Sequence, residues 1–173
     1  MRLFIAFEFD ELKDYFKEIQ SKLAGDNVKI TLTKIHHLTL KFLGDVDEKD
    51  VDSMRSSLRN VKFTAFSTKL DKMGVFPNEN YIRVVWIGIN PDEKILELQR
   101  KIDEALAPLF RKEKGFVAHI TLCRVKFVKD KKAFIGLLNK IKVEPKEIMI
   151  KNFKLIKSTL TGEGPVYEDL EVF

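Results

Sequence analysis

Two short stretches of this chain, 82 positions apart, carry one pattern, and any fold must accommodate both. The first is Ile35-His36-His37-Leu38-Thr39-Leu40-Lys41-Phe42, and the second is Val117-Ala118-His119-Ile120-Thr121-Leu122-Cys123. Each places His-x-Thr inside an apolar run that reads as a strand, and a strand sends successive side chains to opposite faces. Strict alternation predicts His37, Thr39 and Lys41 on one face, with Leu38, Leu40 and Phe42 on the other. It likewise predicts His119, Thr121 and Cys123 together, with Ile120 and Leu122 behind them. Two imidazoles and two hydroxyls on strand faces backed by core residues are a candidate site. His36 points away from His37 and is expected to be structural.

The same offset extends upstream without a gap. It sets Leu3-Phe4-Ile5-Ala6-Phe7 against Val85-Trp86-Ile87-Gly88-Ile89, and Asp10-Glu11 against Asp92-Glu93. Each half then reads strand, helix, motif strand, helix, strand. The plainer alternative is two unrelated runs that align by chance. Along the chain, a strand over 2–9 precedes a helix capped by Asp10 and ending at Gly25, then the first motif strand to Gly44. A helix after Asp47 presents Val51, Met54 and Leu58. Strands over 63–75 and 81–89 flank the turn Pro77-Asn78-Glu79-Asn80. A helix over about 91–110 carries Ile95, Leu98, Ile102 and Leu106, and Pro108 makes its last turn irregular. After the second motif strand come a helix over 131–140, a strand over 147–158 and a closing strand over 165–173. With no linker or low-complexity tract, residues 1–173 are expected to form a single bilobal domain, with about 1–80 and 83–160 as related halves. The expected class is α+β: two pseudo-symmetric lobes whose mixed or antiparallel sheets line a central cleft, with helices outside.

Bulk properties narrow the function. The 45% hydrophobic and 33% charged content is that of a soluble globular protein. No apolar run approaches the ~20 residues that span a bilayer, and Met1-Arg2-Leu3-Phe4-Ile5 runs directly into Glu8 and Asp10, unlike a signal peptide. The lone Cys123 permits no internal disulfide and fits a reducing, cytoplasmic setting. A net charge of +5 permits a polyanionic partner without demanding one. Glutamine occurs only at Gln20 and Gln99 amid many Lys and Glu, which points faintly to a thermophile.

The doubled pattern suits phosphate chemistry. In-line displacement at phosphorus needs one group to take a proton from the attacking water and another, on the far side, to give one to the departing oxygen. Two histidines from pseudo-symmetric lobes sit on opposite sides of a substrate, and imidazole titrates near neutrality, at about 6.5. A threonine two residues on reaches the same space and offers a hydroxyl to a non-bridging oxygen. Cys123 has no visible activating partner and reads as packing. Trp86 and the many Phe read as core before they read as base-stacking platforms.

The pair His37-Leu38-Thr39-Leu40 and His119-Ile120-Thr121-Leu122 resembles the doubled HxTx signature of the 2H phosphoesterases. Within that group the chain is similar to the RNA 2′,3′-cyclic phosphodiesterases, once called 2′-5′ RNA ligases. The likeness covers nearly the whole chain, including Arg2-Leu3-Phe4-Ile5-Ala6, Gly74-Val75-Phe76-Pro77, Val84-Val85-Trp86-Ile87-Gly88 and the Ser158…Gly164-Pro165-Val166-Tyr167 ending. It implies a hydrolase that opens RNA 2′,3′-cyclic phosphate ends to 2′-phosphates, with weak reverse 2′-5′ ligation. His37 would then be the proton donor and His119 the proton acceptor, a division the motifs alone leave open. Thr39, Thr121 and Arg124 would bind the phosphate. No metal and no cofactor are implied. The partner would be RNA with a cyclic phosphate end, tRNA fragments being one such class, and the enzyme a cytoplasmic monomer.

Arg124 raises a geometric difficulty. Its equivalent in the first half is Phe42, and strict alternation turns it away from His119. The strand bulges there, or Arg124 works from the cleft edge, or it is structural. Two rival functions remain. A metal-dependent phosphoesterase wants three or more clustered ligands, and each motif offers one inward His with no HExxH or Cys cluster. A non-catalytic module that recognises an RNA terminal phosphate differs in turning nothing over, although no RRM, KH or P-loop signature is visible.

Overall fold

The computed structural model describes residues 1–162 and 164–173. Among the described residues nine strands form two sheets, and four helices accompany them. β1 (Arg2–Glu8) is buried along most of its length, as its apolar and aromatic content requires. A 3-10 turn over Asp10–Leu12 takes the place of the expected Asp10 cap and leads into α1 (Lys13–Ser21), which buries Phe16, Ile19 and Gln20. β2 (Val28–Leu32) precedes the first motif strand, β3 (His37–Asp45), and α2 (Glu48–Arg59) buries Val51, Met54 and Leu58 as its spacing predicts. The hairpin β4 (Phe66–Asn78) and β5 (Tyr81–Asn90) leads to α3 (Glu93–Ala105). The second motif strand, β6 (His119–Val128), is followed by α4 (Lys131–Lys140), β7 (Glu147–Ile150), β8 (Lys154–Thr161) and β9 (Gly164–Val172).

The sheets run β3-β1-β8-β9 and β2-β6-β5-β4-β7, and every pairing among the described residues is antiparallel. The architecture is the expected two-lobed α+β arrangement. Further details depart from the sequence reading. β4 runs over Phe66–Asn78 rather than 63–75 and takes in Pro77 and Asn78. β2 is a separate strand on the edge of the second sheet, beside β6. The stretch 147–158 is two strands, β7 in the second sheet and β8 in the first. Phe153, fully buried and stacked on Phe173 at 5.1 Å, anchors the crossing between them. The helix expected over about 91–110 is α3 alone, and Leu106 to Phe110 follow as turns that Pro108 keeps from continuing.

These connections tie the lobes together. β4, reached from β3 through α2, joins β5 in the second sheet, while β8, reached from β6 through α4, joins β1 in the first. The helices cross over as well: α1 packs against β6 and α3 against β3. Under β3, Lys41 is 2% exposed and donates to Asp103 of α3 at 2.5 Å and to the Arg111 carbonyl at 2.7 Å. Asp103 also accepts from Gln99 Nε2 and from the Glu113 N–H, both at 2.8 Å. Such a pair survives burial because the remaining polar atoms are also bonded.

Removing one partner strands the other charge. Asp103→Ala should lose about 3–5 kcal/mol of unfolding free energy, and the double change Lys41→Met with Asp103→Leu should recover part of it. Urea unfolding midpoints at matched slopes measure both.

Candidate functional site

The motif strands are not regular, and their irregularity decides which side chains share the cleft. Along β1 and β3, Ala6 pairs with Thr39 but Ile5 with Lys41, so Leu40 is an extra residue. Along β5 and β6, Trp86 pairs with Thr121 but Val85 with Cys123, so Leu122 is extra. Each is a β-bulge, which reverses the alternation beyond it. The bulges fall 82 positions apart, at equivalent places in the two motifs.

The consequences correct the regular-strand reading. His37 and Thr39 remain together, but Lys41 turns inward and is buried, whereas Phe42 comes to the cleft face, 66% exposed. His119 and Thr121 remain together, but Cys123 turns to the core, where burial pushes its thiol up to about 12. Arg124 emerges exposed on the His119 face, in one row with Val84 and Thr31. Leu122 leaves a carbonyl unpaired by the ladder. The buried Gln20 side chain of α1 donates to it at 2.7 Å, and the Thr33 N–H at 2.9 Å.

Aromatic rings hold each histidine. His37 packs against Phe4 at 5.1 Å and Tyr167 at 5.5 Å, and His119 against Phe76 at 4.8 Å and Trp86 at 5.9 Å. Phe4 and Trp86 are themselves 82 apart, so both imidazoles lean on equivalent rings from the neighbouring strand. Trp86 crosses β4 at Gly74. A Cβ there would sit 2.3 Å from the indole, so the position admits only glycine while the ring stays in place. Tyr167 arrives from β9 and has no counterpart in the first half. His36 faces the core against Phe16 at 4.7 Å, as expected of a structural residue.

β3 and β6 approach within 8 Å between the sheets. Burial, the nearby His36, and the charges of His119 and Arg124 together push His37 down to about 4. The Ile35 carbonyl opposes this, yet His37 Nδ1 is buried without a hydrogen bond. Burial also lowers His119, and the Val117 carbonyl opposes it. His119 Nδ1 lies 2.7 Å from that carbonyl. A carbonyl only accepts, so Nδ1 carries the proton and Nε2 presents its lone pair. Burial raises Tyr167 while Arg124 and Arg2 pull it back, so the Arg124 charge reaches both Tyr167 and His37 across from its own strand. Among the described residues, no three His, Cys, Asp or Glu side chains cluster as a metal site requires, and no helix is long and apolar enough to cross a membrane. A hollow of about 320 Å³ lined by Lys62, Phe66, Lys94 and Lys101 shares no residue with this cluster.

The family model for LigT-like phosphoesterases matches the chain twice, over residues 7–86 and 87–167. The chain belongs to the LigT-like phosphoesterases. It is 40% identical over 174 residues to a Methanocaldococcus jannaschii protein named RNA 2′,3′-cyclic phosphodiesterase, covering 97% of each. A Methanothermobacter thermautotrophicus protein of that name is 36% identical over 180 residues, covering 100% of this chain and 98% of the relative. The crystal structure of TT0787 of Thermus thermophilus superposes with a TM-score of 0.74 at 26% identity, covering 100% and 97% of the two chains. This phosphoesterase is therefore a hydrolase.

Sequence reasoning left Phe4, Phe76, Trp86 and Tyr167 out of the site. The offset of 82 that relates Phe4 to Trp86 marked two of them, and each occupies the strand beside a motif. Phe76 and Tyr167 depend on pairings that no local pattern reveals.

An anion beside His37 favours the imidazolium and must raise its pKa. In NMR titrations, free His37 should titrate well below 6.5, near 4, and phosphate should move it upward, with proton uptake on binding at pH 6. A free value at or above 6.5 would contradict the burial seen here. Trp86 is the only tryptophan, so Gly74→Ala should shift its emission and disturb the His119 resonances together.

Proposed function

We propose that this phosphoesterase hydrolyses RNA 2′,3′-cyclic phosphate ends to 2′-phosphates without a metal ion. The observation that carries the proposal is the equivalent placement of two His-Thr pairs on bulged strands, near enough that the charge of one histidine lowers the pKa of the other. The names of the relatives support the substrate class.

In this mechanism a water attacks phosphorus and gives its proton to His119 Nε2, the nitrogen left open by the Val117 carbonyl. The P–O3′ bond breaks, and the 3′ oxygen takes a proton from His37. A ring that burial makes reluctant to hold a proton is a strong acid once the phosphate has induced its protonation. Thr39 and Thr121 donate hydrogen bonds to non-bridging oxygens, and the Arg124 guanidinium, brought to the His119 face by the Leu122 bulge, neutralises their charge. A 5′-hydroxyl of another RNA attacking in place of water, with the same departure of the 3′ oxygen, yields a 2′-5′ linkage. The protein acts as a monomer on single-stranded ends, such as those of tRNA fragments.

The test is incubation with RNA ending in a 2′,3′-cyclic phosphate. The expected product is the 2′-monoester, with rates unchanged by a chelator. A 3′-phosphate product, or activity lost in chelator and restored by zinc, would overturn the reading. Binding without turnover of a 2′,3′-cyclic nucleotide would favour an end-recognition module instead. His37→Ala and His119→Ala should each reduce kcat by about 10²–10⁴, and the double variant should lose far less than the product of the two. Thr39→Ala and Thr121→Ala should each raise the barrier by about 1–3 kcal/mol.

A further inference from the structure

The repeat contains its own control. Beyond the bulges, the first motif strand continues Phe42-Leu43-Gly44-Asp45, while the second continues Arg124-Val125-Lys126-Phe127. Both strands form, so the fold does not require the second set. Val125 turns to the core by ordinary alternation, and a further register shift, at Lys126, returns Phe127 to the face that carries Arg124, opposite Lys29 of β2. Phe127 is 62% exposed. On the other side of β6, Arg83 is the extra residue where Val84 pairs with Phe76 and Ile82 with Pro77, and its guanidinium lies 5.4 Å over the ring of Tyr81, itself 59% exposed.

β2, β5 and β6 contain no Asp or Glu, and among the described residues Lys29, Arg83, Arg124 and Lys126 form no salt bridge. The first sheet differs. Its strands carry Glu8, Asp45, Glu168, Asp169 and Glu171 beside Arg2, Lys41, Lys154 and Lys157, and its lysines are engaged: Lys41 by Asp103, Lys154 by Glu8 and Asp169, and Lys157 by Glu168. Uncompensated cations interleaved with exposed rings match a single strand of nucleic acid, whose phosphates need charge and whose bases need stacking faces.

We propose that the single-stranded RNA leading to the reacting end lies across β2, β6 and β5, with Phe127 and Tyr81 as stacking platforms and Lys29, Arg83 and Lys126 as phosphate contacts. The face is continuous with Arg124 and His119, so the RNA leaves the cleft over the second sheet rather than over the first, whose lysines are engaged by carboxylates. This rests on the function proposed above and adds the path of the strand.

The test compares a 2′,3′-cyclic mononucleotide with an oligonucleotide of about six nucleotides, within the ~4–16 that such platforms take. Phe127→Ser and Tyr81→Ser should each weaken oligonucleotide kcat/KM and affinity by roughly 10-fold and leave mononucleotide turnover unchanged. Lys29→Ser and Arg83→Ser should each reduce the slope of log affinity against log salt by about 0.7. Phe42→Ser, on the opposite sheet, should change neither. Fluorescence anisotropy with a 2′-phosphate-ended oligonucleotide reads the path independently of turnover. Failure of the unmodified enzyme on the mononucleotide would strike the function, whereas wild-type oligonucleotide binding by Phe127→Ser and Tyr81→Ser would overturn the path alone. Loss of oligonucleotide binding in Phe42→Ser would also overturn it. So would a self-association, seen by sedimentation, that Phe127→Ser abolishes.

Discussion

One surplus residue in each motif strand governs what reaches the cleft. A regular β3 would present Lys41 beside His37, and a regular β6 would present Cys123 beside His119. The Leu40 and Leu122 bulges instead send both inward and bring out Phe42 and Arg124. An unpaired carbonyl in a buried ladder is costly, on the order of 1–3 kcal/mol, so the bulge at Leu122 persists only because Gln20 and the Thr33 N–H satisfy it. Its counterpart is held differently: Lys41, turned under β3, is neutralised by Asp103 from α3. Helix packing and strand geometry are therefore one problem. Each lobe's helix secures the motif strand of the other.

The chain's two glutamines illustrate this. Gln20 and Gln99 are both buried, one bonded to the Leu122 carbonyl and the other to Asp103. In a chain that otherwise avoids the residue, each amide sits where a neutral donor meets a buried acceptor. Composition alone could only register their rarity.

What sequence could and could not reveal follows from the range of each signal. The His-Thr pairs, the α2 face of Val51, Met54 and Leu58, and α4 over 131–140 were legible because periodicity over a few residues determines them. The faces of Lys41, Phe42 and Cys123 were not, since a bulge is a property of two paired strands and leaves no mark in one. Arg124 exposed the gap, because a phosphate-contacting role and strict alternation disagreed there. β2 and the break between β7 and β8 were missed for a related reason: neighbouring stretches enter different sheets, and an apolar run does not state its partner. The separation of Phe153 from its surroundings depends on Phe173 at the far end of the chain.

The repeat also bears on how two like histidines come to differ. A perfect dyad would give both imidazoles one pKa and one tautomer, leaving no preferred direction for the reaction. The two environments differ in identifiable ways. His119 Nδ1 is tied to the Val117 carbonyl, which fixes its tautomer and supports positive charge on the ring. His37 has the equivalent carbonyl of Ile35 but no completed hydrogen bond, and it alone feels His36 and Arg124 as neighbouring charges. Those charges depend on position: His36 exists because the first motif has a second histidine where the other has Ala118, and Arg124 faces His37 only through the Leu122 bulge. Both press His37 toward losing its proton and leave His119 the ring better able to accept one. An anionic phosphate beside either ring favours its charged form. Departure from symmetry at Ala118 and Arg124 is thus enough to make two like rings differ in their hold on a proton.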